Sequence, residues 1–85
     1  HLRELVQEAV KGTEASLSMH DFRMTTTYHG GRNLIFDVVV PFTCGLHDDE
    51  VRRQIRQRIA GISEDYHAVI RIDRLYSTDD DLPVR

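Results

Sequence analysis

The run NLIFDVVVPF, residues 33 to 42, constrains this chain more than any other stretch. Six of the seven residues from Leu34 to Val40 are apolar, and most are β-branched or aromatic. A strand with one wet face alternates apolar and polar residues, so an almost unbroken run over 34–42 predicts a central strand covered on both faces. Pro41 lacks the N–H that a ladder needs and marks the strand's end. The single interruption is Asp37. A carboxylate inside so apolar a run is costly unless something pairs with it.

The rest of the chain arranges itself around that strand. Leu2, Leu5, Val6, Ala9 and Val10 recur at helical spacing, predicting an amphipathic helix over 2–11 with Gly12 as its stop. Residues 17–27 carry Leu17, Met19, Phe22, Met24 and three threonines and read as a strand. The alternation breaks at His20-Asp21, where a bulge is expected. The paired glycines of YHGGRN, 28–33, predict a hairpin turn. A second helix follows in TCGLHDDEVRRQIRQRIAGI. His47 is its candidate N-cap, with Glu50 three residues on, and Val51, Ile55, Ile59 and Ile62 form its apolar stripe. YHAVIRIDRLY, 66–76, reads as a third strand, and 77–85 as a polar tail.

The order is therefore helix, strand, strand, helix, strand. The first two strands form an antiparallel hairpin. The last two are joined through a helix, which implies a parallel pair with a right-handed crossover. A three-stranded mixed sheet with both helices on one face follows. That is a ferredoxin-like α+β fold, αββαβ, lacking the first strand.

Composition limits what such a domain does. At 85 residues it is one domain with a thin core, so burial against a second copy is expected. Eleven basic residues against 14 acidic ones give a net charge of −3, which argues against a nucleic-acid binder. Cys44 is the one cysteine, which excludes an internal disulfide and suits a reducing cytosol. No apolar run approaches the roughly 20 residues of a spanning helix. No nucleophile stands beside a base in a known motif, and no glycine-rich phosphate loop follows a strand, so no enzymatic activity is expected.

The candidate site lies on the sheet face turned away from the helices. Leu34, Phe36, Val38 and Val40 share one side of the central strand; Ile35, Asp37 and Val39 share the other. On the third strand, Val69, Arg71 and Asp73 oppose Ala68, Ile70 and Ile72. The fully apolar sides belong to the helices, leaving Asp37, Arg71 and Asp73 together. His20-Asp21 is within reach of them, its facing set by the bulge; in regular alternation the two, as sequence neighbours, are expected on opposite faces. Two chemistries suit this group. One is an ion pair, with Arg71 between Asp37 and Asp73. The other is a divalent-metal site, since an imidazole with carboxylates suits Zn²⁺, Mn²⁺ or a similar ion. Cys44 and His47 have CxxH spacing and form a second candidate pair of ligands, although a lone buried cysteine and a helix-capping histidine are the commoner explanations. His29 and His67 read as surface residues.

HDFRM, NLIFDVVVPF and YHAVIRIDRLY together resemble the cytoplasmic C-terminal domain of cation diffusion facilitator transporters. Those domains read HDL or HDF on the first strand, (V/I)xV(E/P) on the second and VIxxD at the end of the third. The likeness spans residues 2 to about 76, with the helix LHDDEVRRQI in the corresponding place. It implies the same αββαβ fold, a homodimer, and attachment to a transmembrane part of the same parent chain. It further implies a transporter at the cell membrane that exports Zn²⁺, Mn²⁺, Fe²⁺ or a related cation. In such proteins the cytoplasmic domain is proposed to bind metal near the dimer interface and bias the transporter's conformation. By position, His20 matches the family's HD histidine, Asp37 stands where many members have a histidine, and Asp73 matches the closing aspartate. Arg71 departs from the pattern, because many zinc-binding members carry histidine there. A guanidinium does not ligate metal. It is expected to act as a counter-ion, and aspartate at 37 shifts the preference toward Mn²⁺ or Fe²⁺. Asp37, Val39, Arg71 and Asp73 are the expected interface. The alternative is a ferredoxin-like dimerisation or small-ligand-sensing module without metal dependence.

Overall fold

A computed structural model describes residues 1–76; the polar tail expected over 77–85 lies outside the described residues. The elements are α1 (Leu2–Thr13), β1 (Ser18–Thr26), β2 (Arg32–Val40), α2 (Asp48–Ala60) and β3 (Tyr66–Arg74). Among the described residues they form a three-stranded sheet in the order β1-β2-β3. β1 runs antiparallel to β2, and β3 runs parallel to it. The αββαβ order, the mixed sheet and the ferredoxin-like α+β class are as the sequence predicts.

The core lies between the sheet and the helices. Leu34, Phe36, Val38 and Val40 are all fully buried, and Ala68 and Ile70 flank them from β3. Leu17 and Met19 approach from the start of β1. Val6, Ala9 and Val10 of α1 and Val51, Ile55 and Ile59 of α2 close the layer from above. No polar side chain is buried among the described residues, so the core is held by apolar burial and packing. The expectation that β2 is covered on both faces needs correcting. Ile35, Asp37 and Val39 are only half-buried, because one chain supplies helices to a single face of its sheet.

Four local details also differ from expectation. Helix α1 does not stop at Gly12 but continues to Thr13, with an extended Glu14 as its C-cap. Gly12 instead sits beneath Arg58 of α2, where a Cβ would come within 3.0 Å of the guanidinium. Ile62 falls beyond the end of α2 and is exposed, so the buried stripe has three members. His47 is the N-cap of α2, but its side chain makes no capping hydrogen bond. The strands begin or end a residue or two from the expected bounds, and β2 stops at Val40, just before Pro41.

The hairpin loop carries its glycines for different reasons. Gly30 adopts φ 89°, a conformation that costs a residue with a side chain. At Gly31 a Cβ would meet the Asp65 carbonyl at 2.9 Å, so the loop before β3 can lie against the hairpin. Arg32 donates its backbone N–H to that same carbonyl at 3.0 Å.

One ion pair ties distant parts of the chain. Arg74, the last residue of β3, donates through Nε to Asp48 in the first turn of α2 at 2.7 Å, and a second guanidinium nitrogen reaches the Leu46 carbonyl. Arg74 is mostly shielded from water, with 19% of its side chain exposed. By contrast, Arg53 pairs with Glu50 within one helix turn on the exposed face of α2. Arg74→Ala is expected to cost about 1.5–3 kcal/mol in urea unfolding, as loss of a shielded charged hydrogen bond does. Arg53→Ala is expected to cost under about 0.5 kcal/mol, as an exposed helix pair does. Equal costs would place the two pairs in the same environment and contradict the packing.

Among the described residues, two carboxyls have lowered pKa values. Glu50 is held below its ordinary 4.5 first by the Gln54 amide and then by Arg53, and Glu14 by the hydroxyl and backbone N–H of Ser16. Folding therefore favours their charged forms. That contribution is fully present above pH 4.5 and fades as pH falls through the depressed folded values. Glu50→Gln is expected to flatten the acid limb of a stability-versus-pH curve below pH 4.5. An unchanged limb would contradict the assignment.

Candidate functional site: the open face of the sheet

The register of the three strands sets which side chains are neighbours on the helix-free face. Four rows cross it. Thr25, Asn33 and His67 form one, and the Asn33 amide donates to Thr25 Oγ1 at 3.1 Å. Arg23, Ile35 and Val69 form the next. His20, Asp37 and Arg71 form the third, and Ser18, Val39 and Asp73 the fourth. Paired residues project to the same side of a sheet, so Asp37 has His20 beside it on one strand and Arg71 on the other.

β1 joins this face through the bulge the sequence predicts. The pairing steps from His20↔Asp37 to Arg23↔Ile35, so Asp21 and Phe22 together oppose Phe36. Asp21 takes φ 56°, the left-handed region, which aspartate tolerates better than most residues. The consequence corrects one expectation: His20 and Asp21 do not point to opposite faces. His20 shares the open face with Ser18, whose Oγ lies 3.1 Å from its Nε2. Asp21 lines the same open concavity as Ile35, Asp37 and Arg71. Phe22 is half-buried: it stacks on Phe36 with centroids 6.3 Å apart and also borders this concavity. The extra residue thus adds a carboxylate to the concavity while Phe22 stays packed against the core.

That concavity holds about 460 Å³ and is lined by Asp21, Phe22, Arg23, Ile35, Asp37 and Arg71. Two carboxylates and two guanidiniums surround an apolar floor. None of the ion pairs among the described residues includes Asp21, Arg23, Asp37, Arg71 or Asp73. The expected intrachain pairing of Arg71 with Asp37 and Asp73 is therefore not formed. These groups are neighbours in the sheet, with Asp37 half-buried and Arg71 and Asp73 exposed.

The metal candidates divide in two. His20 and Asp37 stand side by side, whereas Asp73 lies one row further on, opposite Val39. Among the described residues, no three His, Cys, Asp or Glu side chains lie close enough to hold a metal ion. The described residues of a single chain therefore do not fit the metal that the resemblance implies, and Arg71 adds a fixed positive charge in the row of Asp37. Cys44 is buried in the core and His47 is exposed at the start of α2, so that pair is also not assembled into a site. His29 and His67 are exposed, as expected. The sequence marked His20, Asp37, Arg71 and Asp73 and raised Asp21 beside His20 with its facing left open by the bulge, but Arg23 was missed. The break in alternation was the available signal for Asp21.

Comparison of the chain with family models, with curated proteins and with solved structures found no match.

If the left-handed bulge is what aims Asp21, then Asp21→Gly should leave stability unchanged or slightly raised. Asp21→Val should cost about 1–3 kcal/mol, because a β-branched residue is strained at positive φ. Urea unfolding of the two variants checks this, and a harmless valine would mean the bulge is not held.

Proposed function

We propose that this chain is the cytoplasmic regulatory and dimerisation domain of a divalent-cation efflux transporter, and that its open sheet face clamps two copies together. The observation that carries the reading is the His20–Asp37–Arg71 row, with Asp73 next to it, on a face bearing half-buried Ile35 and Val39. The sequence resemblance supplies the transporter. In this reading the transport path belongs to a membrane part of the parent chain; no helix among the described residues is long and apolar enough to cross a membrane.

The charge pattern favours a clamp over a simple metal sensor. Asp21, Asp37 and Asp73 share the face with Arg23 and Arg71, so the surface carries both signs in alternation. Two copies related by a two-fold axis meet through the same patch, and a patch of mixed sign can oppose unlike charges across that axis. Apolar contacts from Ile35, Val39 and Val69 supply the remaining burial. Mn²⁺, Fe²⁺ or Zn²⁺ is the transporter's cargo in this reading. Any ion held at the face draws ligands from both copies in this reading, because the described residues of one chain bring no three together. The domain has no catalytic role in this account.

The second reading is a ferredoxin-like dimerisation or small-ligand-sensing module without metal dependence. The 460 Å³ concavity is the observation in its favour.

Sedimentation and calorimetric titration of chelator-stripped protein with Mn²⁺ and Zn²⁺ test the proposal, beside Arg71→Ala and an Asp37→Asn/Asp73→Asn variant. The clamp predicts a dimer that persists in chelator and weakens about tenfold or more in Arg71→Ala, equivalent to about 1.4 kcal/mol. A dimer that forms only with metal, with saturable binding lost in the Asp37→Asn/Asp73→Asn variant, would make the domain a metal sensor. A monomer under every condition would sink both versions. A dimer unaffected by every substitution would move the interface off this face.

A further inference from the structure

An open three-stranded sheet has two edge strands, and each edge offers unpaired N–H and C=O groups to which another strand can add. Among the described residues the edges are β1 and β3. β1 is interrupted by the bulge at Asp21–Phe22 and carries Arg23 immediately after it, and both features obstruct strand addition. β3 has no such break. It pairs with β2 in unbroken register from Tyr66 to Arg74, and its middle, Ala68-Val69-Ile70, is apolar. A regular edge of this composition is a template for self-association.

Helix α2 reaches over that edge. Arg56 donates through Nε to the Ala68 carbonyl at 3.3 Å, and Arg52 donates through Nε to the Ile70 carbonyl at 3.4 Å. The spacing explains why both contacts form at once. Residues four apart on a helix are separated by about 6 Å along its axis, and residues two apart on a strand by about 6.6 Å. Two guanidiniums on successive turns therefore fall on successive like-facing carbonyls of an adjacent strand. Ala68 and Ile70 have the same parity along β3, so their carbonyls point to one side, and β2 occupies the other. Arg74 then fixes the start of α2 against the end of β3 through Asp48 and the Leu46 carbonyl.

We propose that Arg52 and Arg56 close the β3 edge against a strand from a second copy of this chain. Both hydrogen bonds are long, so their role is to occupy and charge the edge more than to stabilise the fold. An incoming strand would have to displace both guanidiniums and bury or expel two charges that never deprotonate. Arg52 also pairs with Asp49 within its own helix at 3.5 Å, as Arg53 does with Glu50, but of these two only Arg52 reaches a β3 carbonyl as well; Arg58 lies over Gly12. This division makes Arg53 and Arg58 a matched control. The inference is independent of the transporter reading, because it concerns the edge and not the open face.

The test compares Arg52→Ala/Arg56→Ala with Arg53→Ala/Arg58→Ala, which removes the same charge from the same helix. Sedimentation velocity over a concentration series reads assembly, thioflavin T reads strand stacking, and amide exchange reads the protection of residues 66–74. The expected result is a weight-average mass about twofold or more above wild type at the highest concentration, with a thioflavin signal, in the edge variant only. Wild-type assembly and exchange in a cooperatively melting edge variant would overturn the proposal. Equal association of both double variants would also overturn it, by assigning the effect to net charge. If the alanine edge variant does not melt cooperatively, Arg52→Gln/Arg56→Gln takes its place, with the same outcomes deciding.

Discussion

Everything in this domain leans on one side of one strand. Leu34, Phe36, Val38 and Val40 are fully buried, and they are the surface on which the helices and the inward residues of β1 and β3 converge. At roughly 1.5–3 kcal/mol for each large apolar side chain withdrawn from water, this stripe alone supplies an amount comparable with the net stability of a small domain. It also fixes the topology. A strand with one fully apolar side and a neighbour reached through a helix has one economical arrangement, with the crossover helix packed on that side. The parallel β2–β3 pairing and the position of α2 follow together.

The same constraint creates the candidate site. Because α1 and α2 cover one face, the opposite face of β2 is left with Ile35, Asp37 and Val39 half-buried. A thin layer of this kind leaves a domain with surface still to bury, which is why a second copy belongs in its proposed function. The positions that the helices do not need are those where charge collects. Asp37, Arg71 and Asp73 have no ion-pair partner among the described residues of one chain. The two edges are closed by different means, a bulge on β1 and arginines from α2 on β3. The open face is then the surface with the fewest obstacles to association.

The element order, the pairing directions and the helix-facing core were legible in the sequence because they follow from periodicity. The apolar run of β2, the helical spacing of α1 and α2 and the hairpin glycines are local patterns with one physical reading each. The bulge was visible as a break in alternation, but its outcome was not. Whether a doubled residue turns its neighbour in or out depends on the backbone dihedral it adopts, and Asp21 at φ 56° decided that. Gly12 misled because a glycine near the end of an apolar stripe resembles a stop, whereas here it makes room for Arg58. The tasks of Arg52 and Arg56 were illegible because surface arginines look alike until the strand beside them is known. The intrachain ion pair failed for a related reason. Register makes side chains neighbours, but it does not make two solvated ends meet.

The bulge has a consequence for how this chain tolerates insertion and deletion. On one side of it His20 stands opposite Asp37, and on the other Arg23 stands opposite Ile35. Removing Asp21 alone would leave Phe22 opposite Phe36 and restore unbroken alternation, with Met19, Phe22 and Met24 on the helix side and His20 and Arg23 on the open side. Neither flanking register would have to slip. Asp21 is thus a residue that can be gained or lost without re-threading the sheet, and its presence changes only what the open face carries. Relatives with a β1 one residue shorter should keep this core and hairpin while presenting one carboxylate fewer to whatever meets that face.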